Sequence, residues 1–411
     1  MKSKKEQEII DHNYIFSKEN VNMGHQPEFD YLKSISCVLM IITHVYLEYS
    51  MGILYYIMII LCNMFSANSF MILMGIGMKY SRHPDPKYCI FRGIILLTLG
   101  QQFYLIRDTL PNFIAWWATG NKNYISRALL AFQTDILSFA GLAFILLGLL
   151  KKKKLSDTFI LIIGIILNIC GIIFYRLIKS PNNFLLSQFI GYFFLTDANA
   201  YFPLSGYFIF VAFGYWLGGY YQKMSNKEKF YNHILIFFSP IVTIFLYFRI
   251  NGNIPFLSKY NPIEIYSLMP GHVAILYCMD NLTLLAICYK IHKMLNGKTP
   301  EIITHISKNL NQYYIISYSI TIQVKVFLKV KGGEESPSEM KYPTLLSFLI
   351  IIVCRILIDM NDKYIHFTIT TLKNSKRKFV FALIWIISII TVVYFYPKVD
   401  TFATTWNNFL E

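Results

Sequence analysis

The chain has 411 residues, 55% of them hydrophobic and 15% charged, with a formal net charge of +15. Apolar runs of about 20 residues follow one another, the signature of transmembrane helices and not of the short alternating strands of a closed barrel. The basic residues stand in short clusters between those runs, as topology signals do, which argues against a nucleic-acid-binding surface.

Met1 to Pro27 is polar, carries Lys2, Lys4 and Lys5, and has no short apolar core ahead of a cleavage site. It reads as part of a cytoplasmic tail (1–29), not as a signal peptide. A transmembrane domain (30–400) and a C-terminal tail (401–411) follow. Eleven spans are predicted: 31–49, 53–79, 88–107, 131–150, 156–178, 202–221, 233–250, 269–292, 303–328, 343–360 and 379–397; ten remains open. Asn63, Ser66, Asn68 and Ser69 interrupt the second. A polar break at membrane depth is tolerated only against protein or a water-filled cavity. The reading is therefore an all-α, polytopic membrane helix bundle.

Orientation follows from the basic clusters. With the N-terminus inside, five loops become cytoplasmic: those with Lys79/Arg82/Lys87, Lys151 to Lys154, Lys223/Lys227/Lys229, Lys290/Lys293/Lys298 and Lys373/Lys376/Arg377/Lys378. The alternate loops are poorer in charge, such as 108–130 with Trp116 and Trp117, although Lys325, Lys329, Lys331 and Lys341 blur one of them. This places the chain in a cell membrane. Seven cysteines are scattered in or beside apolar segments without CxxC or Cys/His spacing. They read as buried thiols, not as a disulfide framework or a metal site.

The first span is the most informative. It carries Asp30, Lys33, His44 and Glu48. Ionisable groups within a span are costly and mark functional pathways. Lys33 and His44 are eleven residues apart, about three helical turns, so they share a face at roughly 16 Å separation along the axis. Glu48 follows His44 at i+4 on that face. One helix stripe thus offers a cation near one surface and a general base with a carboxylate neighbour near the other.

The segment Phe29-Asp30-Tyr31-Leu32-Lys33, with His44 eleven residues after Lys33, resembles the opening of the membrane-bound acyltransferase families: the acyltransferase-3 group and relatives of heparan-glucosaminide acetyltransferase. Lys33 stands where those families carry Arg, which keeps the charge but loses the bidentate fork. An earlier Arg of the pattern is missing. Phe70 to Gly77, the stretch from Tyr201-Phe-Pro203 to Gly214 and Gly218-Gly219, and Ile306-Ser307-Lys308-Asn309 with Tyr313-Tyr314 are similar to later family segments.

The resemblance implies transfer of an acyl group, often acetyl, from cytoplasmic acyl-coenzyme A to a hydroxyl or amine of a glycan or lipid-linked sugar on the far side. Acyl-coenzyme A is then a co-substrate and no metal is involved. The partners are membrane lipids and the carbohydrate acceptor, with a homo-oligomer left open. His44 becomes the general base or the acyl carrier. Glu48 or Asp135 would orient it, and Lys33 with Arg92 would grip donor phosphates.

Each residue also has a plainer reading. His44 could be a structural histidine, Glu48 an interfacial carboxylate, and Asp135 a helix N-terminal carboxylate favoured by the dipole. Arg92 could be a snorkelling basic residue. Arg107 and Asp108 could pair with each other or line the acceptor entrance. His272 and Asp280, eight residues apart, could line that cavity or form a buried polar pair. Two other functions compete with catalysis. One is a transporter or flippase for a sugar, lipid or acylated product; the other is a non-catalytic sensor or assembly factor.

Overall fold

Inside a bilayer, backbone polar groups must be satisfied within the chain, and long apolar runs do this by closing helical hydrogen bonds. A computed structural model of the chain describes residues 14–49, 57–58, 60–61, 64–129, 134–177, 184–196, 200–250, 269–332, 342–365 and 382–391. Among these there is no strand, and six helices are long and apolar enough to cross a membrane. They are Pro27–Tyr49 (α1), Pro86–Thr119, Asp157–Leu177 (α7), Lys227–Ile250 (α10), Gly271–Met294 (α11) and Pro343–Tyr364. The chain is a multi-pass helical membrane protein.

The other expected spans fall on shorter or more polar helices. Ala67–Lys79 (α2) and Ile136–Lys152 (α6) are short. Leu204–Gln222 (α9) is rich in Gly and Tyr, and Leu310–Gly332 (α13) in Ser, Tyr and Lys. Of the last expected span only 382–391 is described. The Lys373 to Lys378 cluster, Asn63, Cys62, the outermost N-terminal residues 1–13 and the tail 401–411 lie outside the described residues.

Of two expectations about boundaries, one is met and one changes. The second span does break: the chain bends at Ser66 (φ −105°, ψ −87°), and α2 begins at Ala67. The segment 108–130, expected as an outer loop, is mostly helix. Pro86–Tyr104 (α3) runs through a π turn, Leu105–Thr109, into Leu110–Thr119 (α4), which ends at Gly120 with φ 71°. A short helix, Asn123–Leu129 (α5), follows. Pro111 has no N–H for the carbonyl one turn back, and the wider turn lies just before it. Among the six described cysteines, five are buried and Cys170 is exposed; all are free thiols.

α1 sits at the centre of one half of the bundle. It touches α11, the short helix Glu301–Lys308 (α12), α13 and Pro343–Met360 (α14). The other half is built from α3 against α6, and from α9 between α2 and α7. Small residues allow these close approaches. A Cβ on Gly214 of α9 would stand 2.0 Å from the Ile72 carbonyl oxygen, and one on Gly75 of α2 would stand 2.2 Å from that of Val211. The expected N-terminal tail is in part fastened down. Ser17 and Val21 donate backbone hydrogen bonds of 2.7 and 2.8 Å to Lys223 and Gln222, at the turn between α9 and α10.

Candidate functional site: a histidine beside a buried ionic cluster

α1 and α13 lie side by side and run the same way. Ser307, just before α13, meets Asp30; Tyr318 meets His44; and Lys325 meets Glu48. This register decides the surroundings of His44. Its ring stacks on Tyr318 at 3.9 Å between centroids and 14° between planes, with Tyr314 at 6.0 Å. The residue keeps intermediate exposure. Its Nδ1 atom, however, is buried without a hydrogen-bond partner. His44 therefore faces protein, not lipid.

The expected pairing of His44 with Glu48 is not formed. The i+4 spacing does put both on one face, but the Lys325 ammonium from α13 takes the Glu48 carboxylate, and the His44 ring lies against Tyr318. Lys325, which blurred the charge pattern of an outer loop, is an intrahelical residue with this partner.

Asp135 has several partners. It is the N-cap of α6 and accepts from the Ile136 N–H, as a carboxylate at a helix start does. It also accepts from Arg107 at 3.1 Å and from the Tyr314 hydroxyl at 2.5 Å. Arg107 in turn holds Asp108 at 2.6–2.7 Å. The guanidinium carbon lies 4.3 Å from the centre of the Tyr318 ring. Asp135 thus reaches the His44 environment through Tyr314, and Arg107 through the ring that His44 stacks on. No direct hydrogen bond links Asp135 to His44.

Arg107 and Asp108 are neighbours in sequence, yet both side chains are buried. Successive residues of a regular α-helix point about 100° apart. Here both lie in the π turn, a local widening that recurs at functional sites. Arg107, Asp108 and Asp135 together carry one net negative charge in an apolar bundle. Such groups are kept only when paired and hydrogen-bonded, and all three are.

The other end of α1 is built differently. Lys33 is 3.7 Å from Asp30 and about one-third exposed (33%). Asp30 is more tightly bound elsewhere, accepting from Ser307 at 2.6 Å and lying 2.7 Å from His25. The Lys33 ammonium is therefore only loosely held. Arg92 stands exposed on α3, its guanidinium 5.0 Å from the Phe144 ring of α6. No contact joins it to Lys33 among the described residues. His272 is exposed while Asp280 is fully buried, so the pair considered from their spacing does not form.

Comparison with protein-family models, curated proteins and solved structures found no match. The acyltransferase resemblance accordingly stands on the residues quoted above.

Sequence reasoning missed Tyr318 and Lys325 as members of this site, and took Tyr314 only as part of a family segment. A signal was present. Tyr314, Tyr318 and Lys325 fall at i, i+4 and i+11, one face of a helix, and α1 carries a matching stripe at His44 and Glu48. His305, given no role, bridges Tyr313 at 3.0 Å and Asp359 at 2.9 Å, tying α12 to α13 and α14.

Proposed function

We propose that the chain is an integral membrane acyltransferase. It moves an acyl group, with acetyl the first candidate, from acyl-coenzyme A at the Lys33 end of α1 to a hydroxyl or amine of a glycan or lipid-linked sugar at the His44 end. The N-terminus and the Lys33 end face the cytoplasm in this reading. The supporting observation is His44 itself: partly accessible, unpartnered at Nδ1, and set beside a buried cluster of charged and phenolic groups.

The chemistry uses these residues simply. The acceptor oxygen or nitrogen attacks the thioester carbonyl while the imidazole takes its proton. The carbon–sulfur bond breaks, and the imidazolium returns that proton to the departing thiolate. An acyl-histidine route would divide this into two transfers. Stacking on Tyr318 fixes the plane of the ring. Tyr314 and Arg107 set the local field through Asp135, as positioning groups. The loosely held Lys33 suits the phosphates of the donor, as a point charge and not as a fork.

The test uses the full chain in nanodiscs with radiolabelled acetyl-coenzyme A, with and without a sugar acceptor. Release of free coenzyme A that falls by ~10²-fold or more in folded His44→Ala supports the reading. Stable wild-type protein that neither binds nor turns over any of several acyl-coenzyme A donors defeats it. A transporter is the second reading, and the bend at Ser66 favours it. Broken helices at membrane depth line binding sites in such proteins, and this one is fastened by Asn281, which donates to the Met64 carbonyl at 3.1 Å.

A further inference from the structure

Asp280 belongs to neither end of α1. It lies near the middle of α11, is 0% exposed, and both carboxyl oxygens are buried without a hydrogen-bond partner. An ionised carboxylate in that condition carries a large desolvation cost, and an isolated one tends to take up a proton. The neighbouring helix α10, packed against α11, carries one buried cation, Arg249. Arg249 is itself 8% exposed, and its Nε atom is also buried and unpartnered. The two charges therefore share an electrostatic environment without meeting.

Tyr277 and Cys278, both buried, precede Asp280 on its own helix by three and two residues. Among the described residues neither α1, α2 nor α7, which also pack against α11, gives Asp280 a hydrogen bond. A buried carboxyl without a hydrogen-bond donor has nothing fixed to hold its charge, while the adjoining helix carries a buried cation, Arg249. Neutral ligands with no proton to exchange would leave this imbalance in place. A metal cation is disfavoured by the guanidinium, and an anion by the carboxylate.

We infer that Asp280 is a proton-binding site inside the bundle, one residue before the Asn281 side chain that fastens the bend ahead of α2. Besides its bond to Met64, Asn281 receives the Ser69 hydroxyl of α2 and donates to the Tyr277 carbonyl at 2.8 Å. A charge that appears and disappears on Asp280 thus sits next to the joint between the broken segment and α11. The exchange needs no co-reactant. The O–H bond breaks heterolytically, the electron pair stays on the carboxylate, and the proton passes to water. The inference does not depend on the acyltransferase reading.

Infrared spectroscopy of the full chain in nanodiscs tests this directly. The pH is stepped from mildly acidic to mildly alkaline and the C=O stretch of protonated carboxylic acids is followed. The wild type is expected to lose such a band with rising pH, and Asp280→Asn to lack that band. Spectra of wild type and Asp280→Asn that titrate identically overturn the inference. Should Asp280→Asn fail to fold, Arg249→Gln reads the same carboxyl. Its band should persist to higher pH, displaced by about one pH unit or more, a tenfold change in proton affinity. A midpoint unmoved in Arg249→Gln, or no titrating band in the wild type, also overturns it.

Discussion

The ionic cluster beside His44 and the ion pairs that join the neighbouring helices toward the Lys33 end hold their charges in opposite ways. At the His44 end one cation, Arg107, is shared by two carboxylates, and its side chain is 5% exposed. Toward the Lys33 end the ion pairs between the other helices are more open: Lys79 with Asp157 at 2.5 Å, and Glu228 with both Lys290 and Lys293; on α1 itself Glu28 is buried and paired with Lys227 at 2.8 Å. The Glu228 carboxyl is 37% exposed. Water screens the second kind and each is worth little, whereas removing one member of the first kind strands the others. A rigid constellation can be built only where such stranding is costly. The lesson is that the density of charge marks a site less well than its isolation from solvent.

That contrast can be broken by substitution. Arg107→Met leaves Asp108 and Asp135 without their cation and should destabilise the fold by ~3–5 kcal/mol, read by denaturant or thermal unfolding in nanodiscs. A loss comparable to that of a surface pair would show that water already reaches the cluster. Gly214→Ala tests the packing that carries α2, by overfilling the contact with Ile72, and should cost about 1–3 kcal/mol. Gly77→Ala is its control, since a Cβ there meets nothing within 4 Å; it should be close to neutral.

Glu228→Gln should have the smallest effect, under ~1 kcal/mol after allowance for screening, and less in high salt. Its pH dependence has a definite sign. Glu228 precedes the apolar part of its helix, and hydrogen bonds from Lys290 and then Lys293 hold its carboxyl down at about 2. The stabilisation is therefore present above the ordinary carboxylate range and is lost as pH falls through it toward about 2. Unfolding midpoints of wild type and Glu228→Gln should converge on acidification. Convergence on raising the pH would refute the assignment.

Much of the frame is legible in the sequence because apolar length and charge clustering report directly on a bilayer. α1 was readable to its ionisable stripe, and the break before α2 from Ser66 and its polar neighbours. The details that make the site were not. Glu48 was assigned to His44 by helical spacing, but spacing within a helix cannot reveal that Lys325 arrives from another. The burial of both Arg107 and Asp108 depends on a π turn, and a regular helical period would send them apart. Asp135 looked like a cap and is one, while its bonds to Arg107 and Tyr314 required the fold. Arg92 and Lys33 share a charge sign and a family expectation, yet no contact joins them among the described residues.

The side-by-side course of α1 and α13 also has a consequence for how the protein is made. His44 leaves the ribosome early, with the first helix, whereas the ring it stacks on and the lysine that takes Glu48 belong to the last third of the chain. Until α13 is inserted, α1 must sit in the membrane with its histidine and glutamate lacking those partners. A nascent chain arrested before α13 should thus be held by the insertion machinery or cleared by proteolysis, and the site comes into being near the end of synthesis, in a single late docking step.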